Sequence, residues 1–292
     1  MESSAGSLAR VAERYPGESA APIRPAIQFI DVAQRFEPRT APAFTALSGV
    51  NLSVAAAEFC SIVGPSGCGK STLLNMAAGL IQPTEGHVEV FGEPVTAVNT
   101  KIGYVSQDSN LFPWLTARQN IEMPLEIKGY TRAERRQLSD HWLELVGLTG
   151  FANSYPHQLS GGMQKRCSIA RTMVYDPDVL LLDEPFGAVD AITRSILQET
   201  LLDLWSSKRK SVFFVTHDLN EAITLSDKVV VMTKRPGRIK AVVEVPLSRP
   251  RNVYEIAESP EFADVHQELW GYFKTEIETA ANRPSVDAGG GN

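Results

Sequence analysis

Apolar and polar residues change rhythm several times along this chain. Val50 to Val54 alternates, which predicts a strand with one buried face. Ala26 to Gln34 reads as an earlier strand, with a turn over Pro38 to Pro42 between the two. Phe59-Cys60-Ser61-Ile62-Val63 is instead a continuous apolar run and predicts a buried strand. Val179–Leu182 is another such run, of the kind covered on both faces in a parallel sheet. Further strand signals fall at Gly86–Phe91, Lys101–Val105, Ser211–Val215, Asp227–Met232 and Arg238–Val245. Ser71 to Leu80 predicts a helix, and from Thr116 to about Met173 helical patterns dominate, with stops at Gly147 and Gly150. A helix over about Ile192–Ser207 lies between two strands, as a right-handed parallel crossover requires. The order predicts an α/β sheet core over residues 26–250 with a helical insertion at about 112–173. Residues 1–25, rich in Ala, Ser, Pro and Glu, read as a disordered lead-in. Residues 251–292 read as an amphipathic helical tail, from Val253 to about Thr279, with a loose end at Gly289–Asn292. No internal repeat is visible.

Composition narrows the class. The chain has 292 residues, of which 43% are hydrophobic, enough for a sizeable core. A net charge of −6 argues against a nucleic-acid partner. Cys60, Cys68 and Cys167 form no C-x-x-C pair, which points to a reducing compartment. No apolar run approaches the roughly 20 residues that span a bilayer. The N-terminus lacks the apolar core of a secretory signal. A soluble, cytoplasmic protein is expected, with any membrane role exercised through partners.

The sharpest chemistry lies at Gly64-Pro65-Ser66-Gly67-Cys68-Gly69-Lys70-Ser71-Thr72, which fits the phosphate-loop pattern G-x-x-x-x-G-K-[ST]. Glycines allow a tight turn whose N–H groups converge on an anion. Lys70 can reach the β- and γ-phosphates, and Ser71 can place its hydroxyl on Mg²⁺. The strand before the loop and the helix after it supply the context such a loop needs. A second constellation ends the Val179–Leu182 run with Asp183-Glu184-Pro185. An acid at the carboxyl end of a parallel strand can hold Mg²⁺ beside the phosphates, and Asp183 takes that role. Adjacent strand residues point to opposite faces, so Glu184 is free to polarise the attacking water. His217 follows the next strand and can meet the γ-phosphate or Glu184. Gln107 ends the Lys101–Val105 strand region and can contact Mg²⁺ or water through its amide oxygen.

Leu159-Ser160-Gly161-Gly162-Met163-Gln164 precedes a helical run. Ser-Gly-Gly at a helix start offers hydroxyl and backbone donors to an anion, or simply caps the helix. With this signature the chain resembles the nucleotide-binding subunit of an ABC transporter over roughly residues 26 to 250. The resemblance implies the ABC ATPase fold: an α/β P-loop NTPase core with an antiparallel β subdomain and a helical insertion. It implies ATP and Mg²⁺ as cofactors, with Gln107 in a glutamine loop and His217 as a switch histidine. The family's D-loop is usually Ser-Ala-Leu-Asp; here Gly187-Ala188-Val189-Asp190 matches only at Ala188 and Asp190, and Asp190 would keep the contact between subunits. Phe36 stands where the family stacks adenine, usually on tyrosine. A head-to-tail homodimer follows, each ATP lying between one subunit's phosphate loop and the other's Ser160-Gly161-Gly162.

Two softer stretches resemble the nitrate/sulfonate/taurine-type importer branch: Leu111-Phe112-Pro113-Trp114-Leu115-Thr116 and Arg235-Pro236-Gly237-Arg238-Ile239. In the family the first docks a short helix of the membrane subunit, and exposed Phe112 and Trp114 would suit that groove. The branch implies integral-membrane permease subunits, a periplasmic or surface substrate-binding protein, and a peripheral position on the cytoplasmic face of the membrane. An alternative is a soluble ABC-type ATPase of nucleic-acid repair or translation. The single cassette, the lack of sustained heptads and the acidic balance oppose it. A partner subunit that binds ATP without hydrolysing it is opposed by Glu184 and His217.

Overall fold

The computed structural model describes residues 24–187, 189–208 and 210–281. The expectations for residues 1–23, for Ala188 and for Gly289–Asn292 lie outside them. In chain order the described strands are β1 (Ile27–Phe36), β2 (Phe44–Val54), β3 (Phe59–Val63), β4 (Glu85–Val90), β5 (Glu93–Pro94), β6 (Ile102–Val105), β7 (Val179–Asp183), β8 (Ser211–Val215), β9 (Lys228–Met232) and β10 (Ile239–Glu244). The helices are α1 (Lys70–Ala77), α2 (Ala117–Ile127), α3 (Arg132–Leu145), α4 (Gly161–Met173), α5 (Ala191–Lys208), α6 (Leu219–Leu225) and α7 (Pro260–Ala281).

A six-stranded sheet in the order β10-β9-β3-β8-β7-β6 forms the centre. Only β10 runs antiparallel to its neighbour; β3, β6, β7, β8 and β9 are parallel. Every residue of β3 and β8 is buried, because alternate side chains enter different cores. Phe213 and Val215 join the core beneath the antiparallel sheet, with Phe29. Val212 and Phe214 join the core under the helical insertion, with Phe59 and Trp205. This is why the apolar runs show no alternation.

The antiparallel sheet has the order β2-β1-β4-β5. β2 begins at Phe44, well before Val50, where the sequence alternation starts. Register shifts between β1 and β2 break the period-two pattern in that stretch. The hairpin thereby pairs Phe36 with Phe44 across the turn.

The insertion between β6 and β7 consists of α2, α3 and α4 with two short 3₁₀ turns. Capping boxes at Thr116/Gln119 and Thr131/Glu134 start α2 and α3. α6 was not legible as a periodic segment; its seven residues are too few, and Asp218 caps it by accepting from the N–H groups of Asn220 and Glu221. The tail helix α7 buries Phe262, Val265 and Leu269 against Ile223 and Val243. Arg251 ties the approach to α7 to the end of α6 through the carbonyls of Ile223, Thr224 and Ser226.

Candidate active site

Parallel pairing puts the carboxyl ends of β3, β6, β7 and β8 on one edge of the central sheet. The Gly64–Thr72 loop leaves β3 there. Gly69 has φ +104°, and a Cβ on it would lie 2.5 Å from Leu47 Cδ2, so this turn requires glycine. Gly69 also stands at the N-cap of α1 without a side-chain cap, which leaves first-turn N–H groups for an anion. Lys70 is buried, and its ammonium donates to the carbonyls of Gly64 at 2.8 Å and Pro65 at 3.1 Å. Cys68 is fully buried, out of reach of solvent-borne thiol reagents.

Asp183 ends β7, and its Oδ1 accepts from the Ser71 hydroxyl at 3.0 Å. The Tyr104 hydroxyl lies 3.4 Å from Asp183 Oδ2 and 3.2 Å from Asn75 Oδ1. Burial raises the Asp183 carboxyl above its ordinary range, and nearby Glu184 adds to this; Ser71, Tyr104 and Lys70 oppose it. A half-buried carboxylate beside a hydroxyl fits a hard, oxygen-seeking cation. Among the described residues no group of three or more His, Cys, Asp or Glu could hold a metal alone. Mg²⁺ suits this donor set, since it commonly takes one or two carboxylates and completes its shell with water and substrate phosphates.

Glu184 leaves the strand with φ +41°, a left-handed conformation uncommon outside glycine. Its N–H still donates to the Val215 carbonyl at 2.9 Å. Its Oε2 lies 3.1 Å from His217 Nδ1. The two side chains thus meet across the ends of β7 and β8.

A cleft of about 290 Å³ gathers much of this chemistry. Its aromatic part is Phe36 with Phe44, ring centroids 5.5 Å apart. Its polar part holds Ser66, Gly67, Gly69, Lys70, Ser71 and Thr72, together with Glu184. Three further lining residues are Phe44 and Ala46, which the sequence does not single out, and Arg235, whose stretch it marks only as a likeness to the importer branch. Phe44 could have been found by extending the β2 pattern back to the turn.

Several sequence candidates lie off this cleft. Gln107 is exposed, and only its backbone is held: the carbonyls of Ser106 and Gln107 accept from Lys165 at 2.5 and 2.9 Å. Lys165 itself is buried, which depresses its ammonium to about 8, although Asp108 and Asp183 pull it upward. Ser160 caps α4, its Oγ accepting from the Met163 N–H at 3.3 Å, with Gly161 and Gly162 in the first turn. Asp190 is exposed and accepts from the Thr193 N–H at 3.0 Å, a bond that holds its carboxyl below the usual range.

The family model described as ABC transporter matches residues 47–187. A Brucella abortus protein named for ATP binding alone is 48% identical over 248 residues, which span 85% of this chain and 93% of that relative. An aliphatic sulfonates import ATP-binding protein of Bacillus thuringiensis is 48% identical over 207 residues, 70% of this chain and 81% of the relative. Among solved structures, the dimeric post-hydrolysis ATP-binding cassette MJ0796 bound to ADP and Pi is similar at a TM-score of 0.69 and 34% identity, covering 76% of this chain and all of that one.

Proposed function

Because this chain belongs to the ABC transporter family of ATP-binding ATPases, we propose that it energises an importer through a separate integral-membrane permease. The observation that carries the reading is the Glu184–His217 pair, 3.1 Å apart, with Glu184 lining the cleft formed by the phosphate loop. In this reading Phe36 stacks the adenine, and the loop's N–H groups with Lys70 hold the β- and γ-phosphates. Ser71 and Asp183 would hold Mg²⁺, which when bound neutralises phosphate charge. Gln107 would supply a further oxygen to Mg²⁺ or to the attacking water. Glu184 orients that water and accepts its proton, while His217 fixes the carboxylate.

The positions of Ser160, Gly161, Gly162 and Asp190 away from the chain's own cleft support their use across a head-to-tail homodimer. A dimer is the state named for the MJ0796 cassette. Hydrolysis would then remove the charge bridging two subunits and let them part. The sulfonate importer relative supports a small oxyanionic solute such as a sulfonate, taurine or nitrate as cargo, delivered by a periplasmic or surface binding protein. No helix among the described residues is long and apolar enough to cross a membrane. A peripheral position at the cytoplasmic face, under the permease, accords with that.

Glu184→Gln tests the assignment. ATP binding should persist, hydrolysis should fall by about 10²–10⁴-fold, and an ATP-dependent dimer should accumulate on gel filtration. Turnover close to wild type in this variant would reject Glu184 as the base.

A further inference from the structure

The turn between β9 and β10 is built onto the nucleotide cleft. The Gly237 N–H donates to the Ala46 carbonyl at 2.8 Å, and the Ser48 N–H donates to the Gly237 carbonyl at 3.0 Å. The Arg238 guanidinium donates to Ser48 Oγ at 3.0 Å. A Cβ on Gly237 would lie 2.0 Å from the Cys68 carbonyl oxygen, so the turn is pressed against the phosphate loop as closely as glycine permits. Three segments distant in sequence, β2, the phosphate loop and the β9–β10 turn, are therefore locked together.

This anchoring carries Arg235 into the cleft. Its guanidinium carbon sits 4.4 Å from the centre of the Phe44 ring. One terminal nitrogen lies 3.5 Å from where a Cβ on Gly67 would stand. No carboxylate pairs with it among the described residues. A cation–π contact with Phe44 supplies no oxygen acceptor, so the guanidinium keeps an N–H edge for other partners. That edge carries donors only and stays charged, so its natural partner is an anion.

We propose that Arg235 is a nucleotide-binding residue whose guanidinium edge donates to the phosphate oxygens nearest the ribose of a bound nucleoside di- or triphosphate. The inference rests on the ATP reading above. A nucleotide's covalent order sets the position. Its base belongs with the aromatic pair and its terminal phosphates with the loop around Lys70. Arg235 lies beside both regions, its guanidinium over Phe44 and one terminal nitrogen near Gly67. Between base and terminal phosphates lies the first phosphate, common to ADP and ATP. Arg235 therefore strengthens both complexes alike and does not sense the γ-phosphate.

The test is a titration of Arg235→Gln and Arg235→Lys with MgADP and with a non-hydrolysable ATP analogue, alongside thermal melts. Arg235→Gln should raise both dissociation constants by the same factor, about tenfold, the lower end for a charge-assisted hydrogen bond. It should also flatten their salt dependence, since one fixed charge is gone. Unchanged affinity for both nucleotides, or a loss confined to the triphosphate, overturns the proposal. If Arg235→Gln melts early, Arg235→Lys decides: an intermediate affinity supports the assignment and a wild-type affinity refutes it. If the wild-type chain binds neither nucleotide, or Lys70→Ala binds both normally, the ATP reading fails and takes this proposal with it.

Discussion

Lys165 shows how one residue outside the recognised motifs can brace them. Its ammonium holds the backbone of Ser106 and Gln107 from helix α4, so the Gln107 segment and the helix that Ser160 caps share one support. Burial makes that support pH-dependent. The folded value, about 8, lies below the ordinary 10.5. Between these values the unfolded chain binds the extra proton, so stability rises with pH there and is lost as pH falls toward the folded value. Lys165→Met removes this dependence. The wild-type denaturation midpoint minus that of the variant should climb between the two pH values in chemical melts, and a flat difference would refute the assignment. Sequence reading passed over Lys165 because a lysine on a helix is usually solvated. Glu184 was legible as an acid after an apolar strand. Its left-handed backbone, which aims it into the same cleft that Asp183 flanks, was not.

At the level of elements, the parallel strands and the insertion were readable because each carries its own period, caps or apolar run. The start of β2 and the short α6 were not, since bulges erase alternation and seven residues hold too few turns. The β9–β10 turn is the element whose importance comes from its neighbours. Gly237→Ala should cost ~1–3 kcal/mol, as overpacking against backbone does, because the Cys68 carbonyl cannot move without shifting the phosphate loop. Gly150→Ala is the matched control: no atom lies within 4 Å of its added Cβ, and the change should stay within about 0.5 kcal/mol. Urea denaturation of both variants measures the contrast; equal midpoints would remove the argument for a compressed turn.

For the whole molecule, the exposed aromatic surface near the glutamine loop is the natural place to look for the permease. Trp114 is 68% exposed, while Phe112 packs against it and Arg171. Buried Asn120 shapes this segment by bonding the backbone of Phe112, Leu115 and Thr116. Trp114→Ala should leave hydrolysis by the isolated subunit intact and reduce permease-coupled hydrolysis about tenfold or more, as loss of an interface anchor does. Equal coupled and uncoupled rates in variant and wild type would move the docking site elsewhere. The family, the phosphate-loop pattern, the Asp183-Glu184 pair and His217 at its strand end could all be read from the chain itself, because each lies in a short run whose chemistry is local. Phe44 and Arg235 came to line the cleft, Tyr104 came to Asp183, and Lys165 came under Ser106 and Gln107 only through folding. They come from segments far apart along the chain, and their meeting depends on strand order, register and close glycine contacts that no local pattern encodes.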